Sequence, residues 1–238
     1  MGQLFVEGRE VHYFGPADWT RPGMLTFAET PAYRALCDKD AIVLAGREQF
    51  YDLFLEAVRG PWEPLATPDR LGIGGDAFKV VRGQRCPCVG GVWIDPSATL
   101  GSFTAVDRGI WGEFTEIGAD THLDNLVHVG HSALLGRGVT VVAGTVIGGW
   151  AVLGDGCWIG ENVSIRDNVT IGAHALVGMG SVVLGNVPAH ALVFGNPAKQ
   201  KGWVCSCRKT LKWEGDMAPC SCGKWWLKSA SGVEAVQP

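Results

Sequence analysis

The stretch from Ile117 to Val183 repeats every six residues. Each sixth position is a branched aliphatic: Ile117, Leu123, Val129, Leu135, Val141, Ile147, Leu153, Ile159, Ile165, Ile171, Val177 and Val183. The next residue is most often glycine (Gly118, Gly130, Gly136, Gly148, Gly154, Gly160, Gly172, Gly178), and the residue two before is small or β-branched, from Thr115 to Ser181. Neither a helical nor an alternating-strand period repeats this way, but a hexapeptide β-solenoid does. Three hexads make one triangular coil, so each inward aliphatic should stack on its counterpart eighteen positions later. The glycines are expected at the corners, where a Cβ would be unwelcome. The fold predicted is mainly β, a left-handed parallel β-helix with a small N-terminal α/β domain and a C-terminal cysteine ribbon.

An earlier run of the repeat, Ile94, Leu100 and Val106, is one residue out of step with Ile117, which reads as a one-residue deletion between Asp107 and Glu116. Before it, Tyr33–Cys37 suggests a short helix, Ala41–Ala45 a buried strand and Glu48–Val58 an amphipathic helix. Gly60-Pro-Trp-Glu-Pro-Leu-Ala-Thr-Pro is a proline-punctuated boundary. The divisions expected are 1–60, a small α/β unit; 61–93, a linker and the way into the solenoid; 94–188, the β-helix; 189–226, an exit segment and ribbon; and 227–238, a flexible tail. A short solenoid leaves flat faces and strand edges bare. Side-by-side association into a homotrimer would cover them and create clefts between neighbours.

The net charge of −4 has no long runs, so no nucleic-acid partner is expected. The N-terminal residues lack the apolar core of a secretory signal, and no apolar run has the length of a membrane span. A cytoplasmic protein without membrane insertion is the expectation. Four of the eight cysteines form two close pairs, Cys205-Ser-Cys207 and Cys220-Ser-Cys222, separated by twelve residues. Four thiolates suit a closed tetrahedral site, and structural zinc is expected there. Cys86-Pro-Cys88 has no further ligands in view and reads as loop thiols, while Cys37 and Cys157 read as core.

Three histidines, His122, His128 and His131, fall close together. His131 follows Gly130 at a corner, where its side chain would point outward into a cleft between subunits. A neutral imidazole there suits a general base, with Asp124 and Asn125 on the preceding hexad as orienting partners. Gly149, eighteen residues on, would place an unobstructed N–H one coil above His131, where an oxyanion could be stabilised. The spacings of six and three among the histidines do not suit a solenoid-type metal centre that hydrates carbon dioxide.

Pro22-Gly-Met-Leu-Thr-Phe27, Thr30-Pro-Ala-Tyr33, Gly75-Asp-Ala-Phe78, Val106-Asp-Arg-Gly109 and Asp124-Asn-Leu-Val-His-Val-Gly-His131 run in one order. In these blocks, over residues 22–183, the chain resembles the UDP-3-O-acylglucosamine N-acyltransferase family of lipid A synthesis. The resemblance makes residues 1–60 a nucleotide-binding domain in which Phe27 and Tyr33 stack on the base, with Thr30 and His128 also on the substrate. It makes His131 the general base and Gly149 the oxyanion amide. Three features depart from that family: a short linker replaces several coils between its nucleotide domain and the Phe78 region, Asn168 stands where it uses a second histidine, and its long C-terminal helices are absent. In their place, Val193-Phe-Gly-Asn-Pro-Ala-Lys199 and Gly202-Trp203 resemble the N-acetyltransferases acting on UDP-linked amino sugars, which implies acyl-CoA, with acetyl-CoA as the expected donor, held near Asn196 and Lys199.

The function implied is transfer of an acyl group, acetyl by expectation, from acyl-CoA to the amine of a nucleotide-linked amino sugar. Hydroxyacyl transfer from an acyl carrier protein is the alternative donor chemistry. A non-catalytic nucleotide-sugar-binding scaffold is the alternative in kind.

Overall fold

The computed structural model describes residues 72–77, 80–81, 84–85, 88–229 and 232–237, together with the backbone of five N-terminal strands, Leu4–Val6, Arg9–Val11, Tyr13–Phe14, Met24–Phe27 and Ile42–Leu44. Ile42–Leu44 is the strand expected between 41 and 45. It pairs in parallel with Met24–Phe27, which pairs in parallel with Tyr13–Phe14. The helices expected at 33–37 and 48–58 lie outside the described residues.

The hexads wind into a parallel β-helix with three sheets along its length. One face, named here for His122, carries Thr99–Leu100, His122–Leu123, Thr140–Val141, Trp158–Ile159, Leu176–Val177 and Ala191–Phe194. The His128 face carries Gly72–Gly75, Ala105–Asp107, His128–Val129, Val146–Ile147, Ser164–Ile165 and Val182–Val183. The Leu134 face carries Gly91–Ile94, Phe114–Ile117, Leu134–Leu135, Val152–Leu153 and Thr170–Ile171. In each two-residue strand the second residue points inward. Val129, Ile147, Ile165 and Val183 thus stack in one buried column with register steps of eighteen. Burying an aliphatic of this size contributes about 1.5–3 kcal/mol, and the columns are the core.

The glycines after the aliphatics serve a different purpose from the one expected. The left-handed corner lies two residues further on, at Asp120, Leu126, Ser132, Trp150, Asn162, Asn168 and His174 as well as at glycines. The glycines before it allow one coil to lie close on the next: a Cβ at Gly154 would sit 2.6 Å from the backbone nitrogen of Ala173.

The phase break is also larger than it reads. Ile94 lies under Ile117, Leu100 under Leu123 and Val106 under Val129, twenty-three residues apart instead of eighteen. This is a five-residue insertion, because a six-residue period cannot distinguish one residue lost from five gained. The inserted loop buries Ile110 and Trp111.

After the last coil, Ala191–Phe194 turns back antiparallel into Lys199–Trp203. Within 227–238, expected as a flexible tail, Leu227–Ser229 and Gly232–Val236 instead belong to a sheet of Met217–Pro219, Trp225–Ser229 and Gly232–Val236. The buried Trp226 anchors that sheet against Cys205, Leu211 and Ala218.

Candidate functional site

His131, Gly149 and Asp167 occupy the same position in three successive coils, on the corner between the His128 and Leu134 faces. The His131 carbonyl accepts from the Trp150 N–H and the Gly149 carbonyl from the Asn168 N–H, both at 2.9 Å. The His131 ring lies over Gly149, where an added Cβ would be 2.4 Å from Cε1 and 2.5 Å from Nε2. Trp150 meets it edge-on, ring centroids 4.3 Å apart at 82°. Trp150 is a bulky residue held at φ 53°. Such backbone strain is tolerated where the surroundings fix it, and it clusters at functional sites.

Two partners expected for His131 lie elsewhere. Asp124 and Asn125 are on the previous corner, between the His122 and His128 faces. There the Asp124 carboxylate accepts the Asn125 N–H and the Asn125 side-chain oxygen accepts the Ser102 N–H, both at 2.7 Å. Both side chains tie down their own corner, which is why hexad proximity misleads: consecutive hexads lead to different edges of the prism. Gly149 does sit one coil above His131, but its N–H is not open. It donates to Asp167 Oδ1 at 2.9 Å.

The inserted loop brings in a residue that the repeat pattern gave no reason to choose. Glu113, buried at 4% exposure, accepts the N–H groups of Ile110 and Trp111 at 3.2 and 2.9 Å. It also accepts the Ser132 hydroxyl. Ser132 is fully buried, donates its own N–H to Thr115 Oγ1 at 2.7 Å, and holds its Oγ 3.4 Å from His131 Nδ1. Burial pushes the Glu113 carboxyl up, against the pull of the Ser132 hydroxyl and the loop amides. The available signal was the phase break itself, an out-of-register segment ending in an acid.

The three clustered histidines do not converge within the chain. His122 lies on its own face with Nδ1 2.7 Å from Thr99 Oγ1, beside a groove of about 540 Å³ lined by Thr99, Asp124, Thr140 and Trp158. His128, on the next face, has Nε2 3.6 Å from Asp107 Oδ2. Burial raises the Asp107 carboxyl, His128 opposes this, and Asp76 adds to it. Of the nucleotide-stacking residues, Phe27 is described only as backbone, and Thr30 and Tyr33 lie outside the described residues.

Asn196 and Lys199 sit in the exit turn. It closes over the last strand of the His128 face, with the Val182 N–H donating to the Gly195 carbonyl at 3.0 Å and the Ala198 N–H to the Val182 carbonyl at 2.8 Å. From the coil of His131 to that strand is a rise of three coils, about 14 Å at ordinary interstrand spacing.

The four tail cysteines come together. Their sulfurs all lie within 4.8 Å of one another, with Cys205–Cys222 at 3.5 Å and Cys207–Cys220 at 3.4 Å. The pairs belong to two copies of one knuckle, Cys-Ser-Cys-x-Lys, with a left-handed residue (Arg208, Gly223) at the same place in each. Lys209 donates to Ser221 Oγ and Lys224 to Ser206 Oγ, each at 2.6 Å, so each knuckle clasps the other. Burial works against ionising Cys205. The Cys207 N–H, the Cys222 thiol, the Trp226 indole and the Cys207 thiol outweigh it and bring the group down to about 6. The ribbon is held to the solenoid by the Arg208 guanidinium, 4.4 Å over the Trp158 ring and 3.2 Å from Thr140 Oγ1. His190 adds to the seam, stacked on His174 at 5.0 Å and tilted on Trp226 at 4.4 Å. Cys88 and Cys157 are buried, Cys88 donating to the Ala77 carbonyl at 3.7 Å; Cys86 lies outside the described residues.

Residues 151–185 match the family described as bacterial transferase hexapeptide (six repeats). The chain is 49% identical over 59 residues to dTDP-3-amino-3,6-dideoxy-alpha-D-galactopyranose 3-N-acetyltransferase of Aneurinibacillus thermoaerophilus, a match covering 25% of this chain and 30% of that protein. It is 40% identical over 119 residues to UDP-3-O-acylglucosamine N-acyltransferase of Caulobacter sp. strain K31, covering 50% of this chain and 35% of that protein. These matches therefore span about a third of the length of the relatives. The UDP-N-acetylglucosamine acyltransferase from Bacteroides fragilis 9343 superposes with a TM-score of 0.50 at 21% identity, over 56% of this chain and 51% of that one, and shows the fold alone. The chain is a hexapeptide-repeat, left-handed parallel β-helix protein that resembles, over part of its length, the N-acyltransferases of nucleotide-linked amino sugars.

Proposed function

We propose that the protein is an N-acyltransferase that moves a small acyl group, acetyl by preference, from acyl-CoA to the amine of a nucleotide-linked amino sugar. The observation that carries this reading is His131: an imidazole fixed on an outer edge of the prism by Gly149 and Trp150, three coils below the Asn196–Lys199 turn. An extended thioester arm laid along that edge would reach from the turn to the imidazole, with Lys199 near the phosphates of CoA. The names of the two relatives support an amine of a nucleotide sugar as acceptor.

In this mechanism the sugar amine attacks the thioester carbonyl carbon while His131 Nε2 takes the proton it sheds. The tetrahedral intermediate collapses, the carbon–sulfur bond breaks, and the imidazolium returns the proton to the departing thiolate, leaving an amide and free CoA. The Gly149 N–H, committed to Asp167, is given no step.

The four cysteines fit a zinc ion. Their donor set and their mutual spacing are those of a closed four-thiolate centre with Zn–S near ~2.3 Å. Bound there, zinc would cross-link two knuckles too small to fold alone and supply no chemistry to transfer. Phe103 and Leu126, 66% and 63% exposed, stack on one corner of the prism. That apolar edge supports a homotrimer with clefts between its members.

The test is transfer from acetyl-CoA to a panel of dTDP- and UDP-linked amino sugars, read as free thiol, for wild type and His131→Ala. Transfer that the substitution abolishes supports the proposal. Wild-type turnover by His131→Ala removes the mechanism. Transfer only from acyl carrier protein changes the donor, and nucleotide-sugar binding without transfer to any amine makes the protein a scaffold.

A further inference from the structure

We infer that Glu113, acting through the Ser132 hydroxyl, is the positioning residue that holds His131 in its proton-accepting form. The inference rests on the proposed role of His131 as base. Ser132 Oγ–H donates to Glu113 Oε1, so the oxygen keeps its lone pairs for the His131 Nδ1–H, 3.4 Å away. That bond fixes the tautomer with hydrogen on Nδ1 and makes Nε2 the basic nitrogen that accepts the amine proton. When Nε2 accepts it, the positive charge spreads over the ring, and the Glu113 carboxylate stabilises that charge through the shared hydroxyl. No proton moves along the relay: Glu113 stays a carboxylate and Ser132 a hydroxyl throughout.

Three observations separate this arrangement from mere loop capping. A carboxylate is costly to bury, yet the loop is already anchored by buried Ile110 and Trp111. Glu113 spends an oxygen on the hydroxyl that abuts the imidazole, in addition to the two loop amides. And Ser132 is fully buried in a left-handed corner, at φ 60°, where solvent cannot orient its hydroxyl. Among the described residues, Asp167 stands on the same edge one coil beyond Gly149, and its Oδ1 accepts the Gly149 N–H.

The experiment needs no substrate. Long-range ¹H–¹⁵N spectra of histidine-labelled protein give the tautomer and titration midpoint of each imidazole, with His131 assigned by its loss in His131→Ala. The expected result is an Nδ1–H tautomer in wild type. In Glu113→Gln the midpoint should fall by about half a unit or more as the anion is removed, and in Ser132→Ala it should fall similarly with loss of the tautomer preference. The double variant should fall no further than the larger single shift. Unchanged tautomer and midpoint in both folded single variants would overturn the inference, even if His131→Ala abolished transfer. If Glu113→Gln does not fold, Ser132→Ala decides, because it deletes one hydroxyl and leaves the Glu113 clamp on Ile110 and Trp111 in place. Once a substrate is known, the acidic limb of the kcat/KM profile should move with the NMR midpoint, which a purely structural Glu113 would leave still.

Discussion

His131 and Gly149 share one volume: the imidazole fills the place where a Gly149 Cβ would project, with Cε1, Nε2 and Nδ1 all within 2.4–2.9 Å of it. The glycine is therefore a packing partner of the proposed base, and Gly149→Ala should swing the ring away without disturbing the coil. Misplacing a reacting group by about 1 Å can cost on the order of 100-fold in rate. Gly149→Ala should lose about that in kcat/KM while its melting temperature stays near wild type, because a side-chain ring can move aside. Kinetics and a thermal melt on one sample check both halves, and full activity would remove the fit as a requirement.

Ile147 and Val146 are neighbours on one two-residue strand and face opposite ways. Ile147 is fully buried between Val129 and Ile165, whereas Val146 is 46% exposed. Ile147→Ala should destabilise by about 2–5 kcal/mol, and Val146→Ala, on the solvent side of the His128 face, by less than about 0.5 kcal/mol. Urea unfolding of the two variants measures the difference. A larger cost at Val146 would instead place that face in a subunit contact.

The solenoid was legible because burial in a hexapeptide coil imposes a strict period, and Ile117 to Val183 keep it without a gap. The length of the loop was not legible. Phase is known only modulo six, so the insertion that delivers Glu113 looked like a deletion. Asp124 and Asn125 were chosen by nearness in sequence, but a prism sends successive corners to different edges, and Glu113 and Ser132, nineteen residues apart, are what meet beside His131. The strands Trp225–Ser229 and Gly232–Val236 went unread because their anchor, Trp226, packs on the cysteine knuckles and on His190, outside the six-residue repeat.

Zinc at the knuckles should be countable. The protein should carry one zinc per chain, and Cys205→Ser or Cys222→Ser should lose it. Stripping the metal with a chelator should expose Cys207 and Cys222 to a thiol reagent, as both are solvent-accessible. Cys157 and Cys88 should stay silent: burial pushes the first up to about 12 and the second, with help from Asp76, up to about 11. Metal analysis and thiol titration before and after chelation check this, and a metal-free protein with four fast thiols would refute it.

The seam between ribbon and solenoid should weaken in acid, and the sign follows from two histidines. Burial holds the His174 imidazole below its ordinary range, with Lys224 adding to this, Asp155 opposing and Arg208 adding. Burial likewise lowers His190, with His174 and Lys224 adding to the effect against the Val204 carbonyl. Both titrate lower folded than unfolded, so below about 6.5, the ordinary histidine value, the unfolded chain binds the extra protons. The stability they contribute is present above that value and is lost as pH falls through it toward the folded values. The melting temperature should fall between pH 7.5 and 5.5, and the His174→Asn, His190→Asn double variant should show a flatter dependence. The comparison matters because acid also competes for the thiolates, equally in both proteins. Equal slopes would mean that the two rings take up protons as readily in the folded protein as in the unfolded chain, and that the stacked pair does not hold the seam in a pH-dependent way.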